Sequence, residues 1–105
     1  MPYTITMAES AAKAKTLEPD LCWSYQIHQA IFNRREANLY ELHLFYNLSD
    51  FYQNADFTGA MVLGLRSEVE EAKRRIDHAK SGEALSLLAK LCEKAMKTQQ
   101  GIFAR

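Results

Sequence analysis

No lysine or arginine occurs from Glu36 through Leu65, where the only charges are four acids. The same part of the chain is rich in rings, because nine of the eleven aromatic residues lie between Trp23 and Phe57. A segment with many rings and no bases is typical of a core or an interface rather than of solvated surface. We therefore expect the surface that matters for function to lie in the middle of the chain.

Motifs that carry chemistry are also lacking. Cys22 and Cys92 are far apart in the sequence, and neither has a second cysteine at the spacing of metal ligands. The four glycines do not form a phosphate-binding loop. Cys22 with His28 or His43 is the only arrangement that can be drawn for nucleophilic catalysis, and nothing in the sequence indicates an activated thiol. We expect neither an enzyme nor a bound cofactor.

The chain has no excess of either charge, with 13 basic and 13 acidic side chains and a pI near 6.8. This balance provides no field that would attract nucleic acid or an anionic membrane. The longest run without a polar side chain, from Ala60 to Leu65, is much shorter than the roughly 20 residues of a transmembrane helix. The first residues lack the basic and apolar regions of a secretory signal, so we expect a cytoplasmic protein.

The hydrophobic period predicts an all-α fold, a small bundle of four to five helices joined by short loops. Only four glycines and two prolines are present, which leaves few turns for a sheet. We expect residues 1–18 to form a short extended arm and a weak alanine-rich helix, and residues 19–105 to form the helical bundle domain. Residues 20–54 are expected to be helical, either as two helices with a break near Asn33 or as one continuous helix.

Two more helices are predicted, from Asp56 to Lys80 and from Glu83 to about Gln99. The first carries an apolar seam at heptad spacing, which favours packing in an antiparallel bundle. Its members are Val62, Leu65, Val69, Ala72, Ile76 and Ala79. Gly59 and Gly64 inside this helix indicate close helix contacts, because glycine weakens a helix interior. Opposite the seam, the sequence predicts acid-first ion pairs on a solvated face, Glu70 with Arg74 and Glu71 with Arg75.

The apolar surface predicted for residues 20–54 exceeds what a small domain can bury, so part of it is expected to remain exposed. Tyrosine and tryptophan supply many of the strongest contacts at protein interfaces. The candidate partner-binding residues are Trp23, Leu39, Tyr40, Tyr46 and Tyr52. We expect a non-enzymatic protein–protein interaction module, homodimeric, acting as an adaptor, chaperone, regulator or inhibitor. The opposing interpretation, in which these rings form the core of a monomer, stays open at this point.

A second hypothesis comes from a different class of protein. His28 and His43 lie on neighbouring predicted helices and could approach each other, so a helical pocket could hold an apolar ligand or a metal. The histidines lack a glutamate three positions before them, which excludes the usual metal motif of helical bundles. A histidine satisfied at a helix interface is the simpler interpretation, and we favour the protein-binding module with no metal site.

Overall fold

The computed structural model describes residues 2–105 and contains a four-stranded antiparallel sheet packed against helices. In chain order the elements are β1 (Tyr3–Ala8), α1 (Ala11–Ala14), β2 (Leu21–Trp23), α2 (Tyr25–Phe32), β3 (Ala55–Phe57), α3 (Ala60–Arg75), α4 (Ala79–Thr98) and β4 (Gly101–Ala104). Three 3₁₀ helices, Arg35–Ala37, Leu39–Glu41 and Phe45–Leu48, lie between α2 and β3. The prediction of an all-α bundle is therefore wrong.

The two ends of the chain form the centre of the sheet. The strand order is β2-β1-β4-β3, and β1 pairs with β4 in a register that places Ile5 opposite Ala104 and Met7 opposite Ile102. The N-terminal segment is extended, as expected, but it is an inner strand rather than a free arm. Met1 of that predicted arm lies outside the described residues. The sheet was not predicted because pairing between distant segments leaves no local periodic signal.

The inner face of the sheet forms the main core with α2, α3 and α4. Tyr3, Ile5, Phe57 and Ile102 are completely buried there. The outer face has a smaller cluster in which Ala8 and Phe103 pack against Ala11 and Ala14 of α1. The weak alanine-rich helix is thus much shorter than predicted, and its small side chains cover the Phe103 ring.

A strand replaces the first turn of the helix that was predicted from Pro19 or Asp20. Trp23 of β2 lies opposite Tyr3 of β1 and is buried. The helix α2 begins only after Ser24, whose hydroxyl accepts a hydrogen bond from the Ile27 N–H at 3.2 Å. Sheet pairing and this serine cap together move the start of the helix to Tyr25.

The helices α3 and α4 form the hairpin on which the rest of the core packs. The predicted seam is buried from Val62 to Ile76, whereas Ala79 is exposed because α3 ends at Arg75. His78 caps α4 by accepting a hydrogen bond from the Ser81 N–H at 3.2 Å, so α4 starts four residues before the predicted Glu83. None of the helices within residues 2–105 is both long and apolar enough to cross a bilayer.

Residues 33–54, here called the irregular segment, are not the long helix that was predicted. Asn38 has a left-handed backbone (φ 50°) that interrupts helical hydrogen bonding. Side chains of α3 bond the backbone instead: Glu68 accepts from the Phe45 N–H at 2.9 Å, and Arg75 donates to two carbonyls. Gly64 is closely approached, as predicted, but by Leu44 of this segment rather than by another helix. The prediction for Gly59 is wrong, because this residue precedes α3 with a positive backbone angle (φ 57°) and a Cβ there would meet nothing within 4 Å.

Gly101 provides a test of the sheet. A Cβ at this position would lie 2.9 Å from the Phe57 carbonyl oxygen and 3.0 Å from the Phe103 ring. Gly101→Ala should therefore lower the free energy of unfolding by about 1 to 3 kcal/mol. A Cβ at Gly82, inside α4, would meet nothing within 4 Å, so Gly82→Ala should raise it by up to about 1 kcal/mol.

Urea unfolding followed by circular dichroism measures both variants. Equal stabilisation by the two alanines would contradict the close approach of β3 to β4.

Candidate functional site

A cluster of aromatic rings surrounds a buried histidine between α2 and the irregular segment. The His28 ring is completely buried, with ring centroids at 4.8 Å from Phe32, 5.2 Å from Phe51 and 5.3 Å from Tyr3. Tyr25, His28 and Phe32 lie on one side of α2, which is the apolar stripe expected from their spacing in sequence. The cluster therefore joins β1, α2 and the irregular segment.

His28 also makes a buried side-chain hydrogen bond to the backbone of the irregular segment. Its Nε2 lies 2.6 Å from the Leu48 carbonyl oxygen, which can only accept, so Nε2 carries the proton. Nδ1 has no hydrogen-bond partner among the described residues and must be the unprotonated nitrogen of a neutral ring. Burial lowers the pKa of His28 from its ordinary 6.5, although the Leu48 carbonyl and the Asp50 charge act in the opposite direction.

Four tyrosines remain exposed around this cluster, and we call them the tyrosine surface. The exposed fractions are 53% for Tyr25, 63% for Tyr40, 42% for Tyr46 and 85% for Tyr52. Tyr25 and Tyr52 both contact the ring of Phe51, at centroid distances of 5.3 and 5.5 Å. Phe51 is half-buried and also contacts the buried rings of Tyr3 and His28, so this part of the tyrosine surface is continuous with the core.

The tyrosine surface has two ends, set by the direction of α2. Tyr25 and Tyr52 lie at the N-terminal end of this helix, and Tyr46 lies at the C-terminal end, where its ring is 6.3 Å from that of Phe32. The eight residues of α2 span about 12 Å at the usual helical rise. The surface is therefore a strip with distinguishable ends rather than a symmetric patch.

A cleft of about 330 Å³ opens at the Phe32 end of the strip. Its lining residues are Phe32, Asn33, Arg34, Arg35, Asn38, Leu39, Tyr40 and Tyr46. This lining combines an apolar floor with amide and guanidinium groups, and it contains no acidic residue. Nε of Arg34 donates to the Ala30 carbonyl, which fixes that side chain at the end of α2. The cleft can therefore receive a group that is partly apolar and partly anionic.

Arg75 holds the wall of the cleft in place. Its Nη1 donates to the carbonyls of Ala37 and Asn38, both at 3.1 Å, and to Glu41 Oε1 at 2.9 Å. Its Nε pairs with Glu71 at 2.9 Å, as the sequence predicted. The predicted description of this face as solvated is incomplete, because the Glu71–Arg75 pair also positions the irregular segment. Arg74 pairs with Glu71 rather than with the predicted Glu70.

The structure separates the five candidate partner-binding residues into two groups. Tyr40, Tyr46 and Tyr52 are exposed on the tyrosine surface, whereas Trp23 and Leu39 are buried. Leu39 still lines the cleft beside Tyr40 and Tyr46, but Trp23 lies in β2, beside a different groove that runs along α4.

Sequence reasoning did not select Tyr25, Arg34 or Arg35 as partner-binding residues. The sequence position of Arg34 and Arg35, immediately before the segment that has no bases, could have identified these two residues as candidates.

The structure gives no support to a metal site at His28 and His43. His28 is buried among rings, whereas His43 is exposed. Residues 2–105 contain no group of three or more His, Cys, Asp or Glu side chains that could hold a metal ion. Burial raises the pKa of the Cys92 thiol to about 12, which makes this residue a poor nucleophile.

The buried His28 predicts a specific dependence of stability on pH. The unfolded histidine binds a proton near pH 6.5, whereas the folded one binds it only at lower pH, so the unfolded state holds more protons in that interval. The free energy of unfolding should therefore decrease as the pH falls below about 6.5 and level off below the folded pKa.

The His28→Gln variant removes the titrating group but keeps a side-chain donor. This variant should be less stable at pH 7.5 by about 2 to 4 kcal/mol, because it loses the ring contacts. It should also lack the loss of stability that the wild type shows as the pH falls below about 6.5. Urea unfolding at several pH values measures both effects. His43→Gln, at an exposed site, is the matched control and should keep the wild-type dependence. An unchanged pH profile in His28→Gln would contradict this assignment.

Comparison with protein-family models, with curated proteins and with solved structures finds no match to this chain. The interpretation of the tyrosine surface therefore depends on its own geometry and chemistry.

Proposed function

We propose that this chain is a non-enzymatic protein-recognition module and that the tyrosine surface binds a partner protein. The observation that supports this proposal best is the exposure of four tyrosines, between 42% and 85%, three of which contact the half-buried rings of Phe32 or Phe51. Such side chains provide large apolar area together with a hydroxyl that tolerates water, a combination that is enriched at protein interfaces. By covering a surface of its partner, the module would act as an adaptor, chaperone, regulator or inhibitor.

The way in which the irregular segment is held also favours recognition. Hydrogen bonds from His28, Glu68 and Arg75 fix its backbone at three separate points. Binding by a segment that is already ordered loses less conformational entropy than binding by a flexible loop. Each tyrosine has only two side-chain torsions to immobilise, so the rings also lose little conformational entropy on binding.

The polar groups of the surface suit binding better than catalysis. The cleft offers the guanidinium groups of Arg34 and Arg35 and the amides of Asn33 and Asn38, which donate hydrogen bonds but do not exchange protons near neutral pH. A general acid or base would need a titratable group within reach of the reacting atoms. The cleft therefore supports recognition of a carboxylate or a backbone carbonyl on a partner.

Substitution of exposed tyrosines tests this proposal. Tyr46→Glu and Tyr52→Glu should abolish partner binding, because each places a charge in the interface, and should leave the helical circular dichroism signal unchanged. Affinity capture from the native source with wild-type and variant chains measures the loss. The matched control is Leu87→Glu, which makes the same change at a half-exposed apolar site on α4.

Proteins recovered by the wild type and by Leu87→Glu, but not by the two tyrosine variants, would support the proposal. Unfolding of both tyrosine variants would assign these rings to the core and contradict it, and so would undiminished capture by all variants.

A further inference from the structure

We infer that the tyrosine surface pairs with the same surface of a second copy of this chain, in an antiparallel two-fold arrangement that places Arg35 of each copy against Asp50 of the other. This inference rests on the proposed function, because it takes the tyrosine surface to be a protein-binding surface and identifies its occupant. The positions of the charges along the strip support this arrangement.

The C-terminal end of the strip is positive. Arg34 and Arg35 line the cleft there, and within residues 2–105 neither forms an ion pair with an acid. Arg35 is exposed, whereas Arg34 is half-buried and bonded to the Ala30 carbonyl. Glu36 follows in sequence but does not line the cleft. Arg35 is therefore the cation that a partner surface would meet.

The opposite end of the strip is negative. Asp50 is exposed beside Tyr52, and its Oδ1 accepts a hydrogen bond from the Tyr52 N–H at 2.9 Å, which fixes the carboxylate next to that ring. No lysine or arginine in the described part of the chain pairs with Asp50. Asp50 is therefore the anion that a partner surface would meet.

Two of the other acids near the strip are compensated within the chain: Glu41 pairs with Arg75 at 2.9 Å, and Asp56 pairs with Arg105 at 2.7 Å. Glu36 is exposed and forms no ion pair within residues 2–105, so it offsets part of the positive charge beside the cleft. Two arginines and one glutamate leave a net positive charge at one end of α2, whereas Asp50 makes the other end negative. A surface with this polarity is complementary to itself when one copy is reversed.

The two-fold symmetry of a homodimer allows both complementary charge pairs to form at once. In an isologous interface the same patch faces itself, so every contact occurs twice. A two-fold axis perpendicular to the strip brings Arg35 of each copy to Asp50 of the other and lays the tyrosines of both copies over the shared centre. A two-fold axis along the strip brings like charges together and is disfavoured. Charges at the rim set this orientation, while the tyrosines supply the apolar contact.

Charge reversal tests the antiparallel register. The wild-type chain should be a dimer by light scattering and sedimentation. Arg35→Asp and Asp50→Arg alone should each weaken the dimer by roughly tenfold or more, because each reversal converts two attractive pairs into repulsive ones. An equimolar mixture of the two variants should form a heterodimer of about wild-type affinity, since both of its pairs are then attractive.

Three controls accompany this experiment. Lys97→Asp makes a charge reversal on α4, away from the strip, and should leave the dimer unchanged. Asp50→Asn keeps the acceptor for the Tyr52 N–H and removes only the charge, so it should weaken the dimer less than Asp50→Arg does. Far-UV circular dichroism establishes that each variant is folded.

Several results would overturn the inference. A wild-type chain that remains monomeric at about 1 mM, where even a weak interface is populated, excludes it. A dimer that tolerates both reversals, or a mixture that fails to associate, excludes the antiparallel register. A monomer that still captures a partner through Tyr46 and Tyr52 would contradict the homodimer but support the proposed function. Failure of the inference can therefore be distinguished from failure of the proposed function.

Discussion

The hydrogen bond from His28 Nε2 to the Leu48 carbonyl connects the regular part of the fold to its irregular part. It is enclosed by the rings of Tyr3, Phe32 and Phe51, so water cannot replace it without opening the aromatic cluster. Loss of the donor would leave a buried carbonyl unsatisfied, which costs about 1 to 3 kcal/mol. This contact, together with those of Glu68 and Arg75, positions the irregular segment and its exposed tyrosines, Tyr40, Tyr46 and Tyr52.

The sequence predicted those parts of the fold whose stabilising contacts are local. The seam of α3 was found because heptad spacing places Val62, Leu65 and Val69 on one face. The sheet was missed because its strands are short and its central pair joins Ile5 to Ala104, across nearly the whole chain. The irregular segment was missed because Glu68 and Arg75 of α3 supply hydrogen bonds that a helix would have made internally.

The candidate site was predictable in composition but not in detail. The concentration of rings in a base-free segment directed attention to the part of the chain in which Tyr40, Tyr46 and Tyr52 are exposed. The sequence could not show which rings are buried, because burial depends on tertiary pairing. Trp23, for example, is buried because it lies opposite Tyr3 in the sheet. The polarity of the strip was not visible either, because it depends on which acids are already paired with Arg75 and Arg105.

A preorganised tyrosine surface requires residues 33–54 to be rigid although they lack regular secondary structure. Backbone order parameters from ¹⁵N relaxation of the full chain measure this rigidity. Values near 0.85 are expected for these residues, about the same as for α3 and α4. Values below about 0.6 throughout the segment, with high values in the two helices, would describe a flexible loop and exclude a preorganised surface.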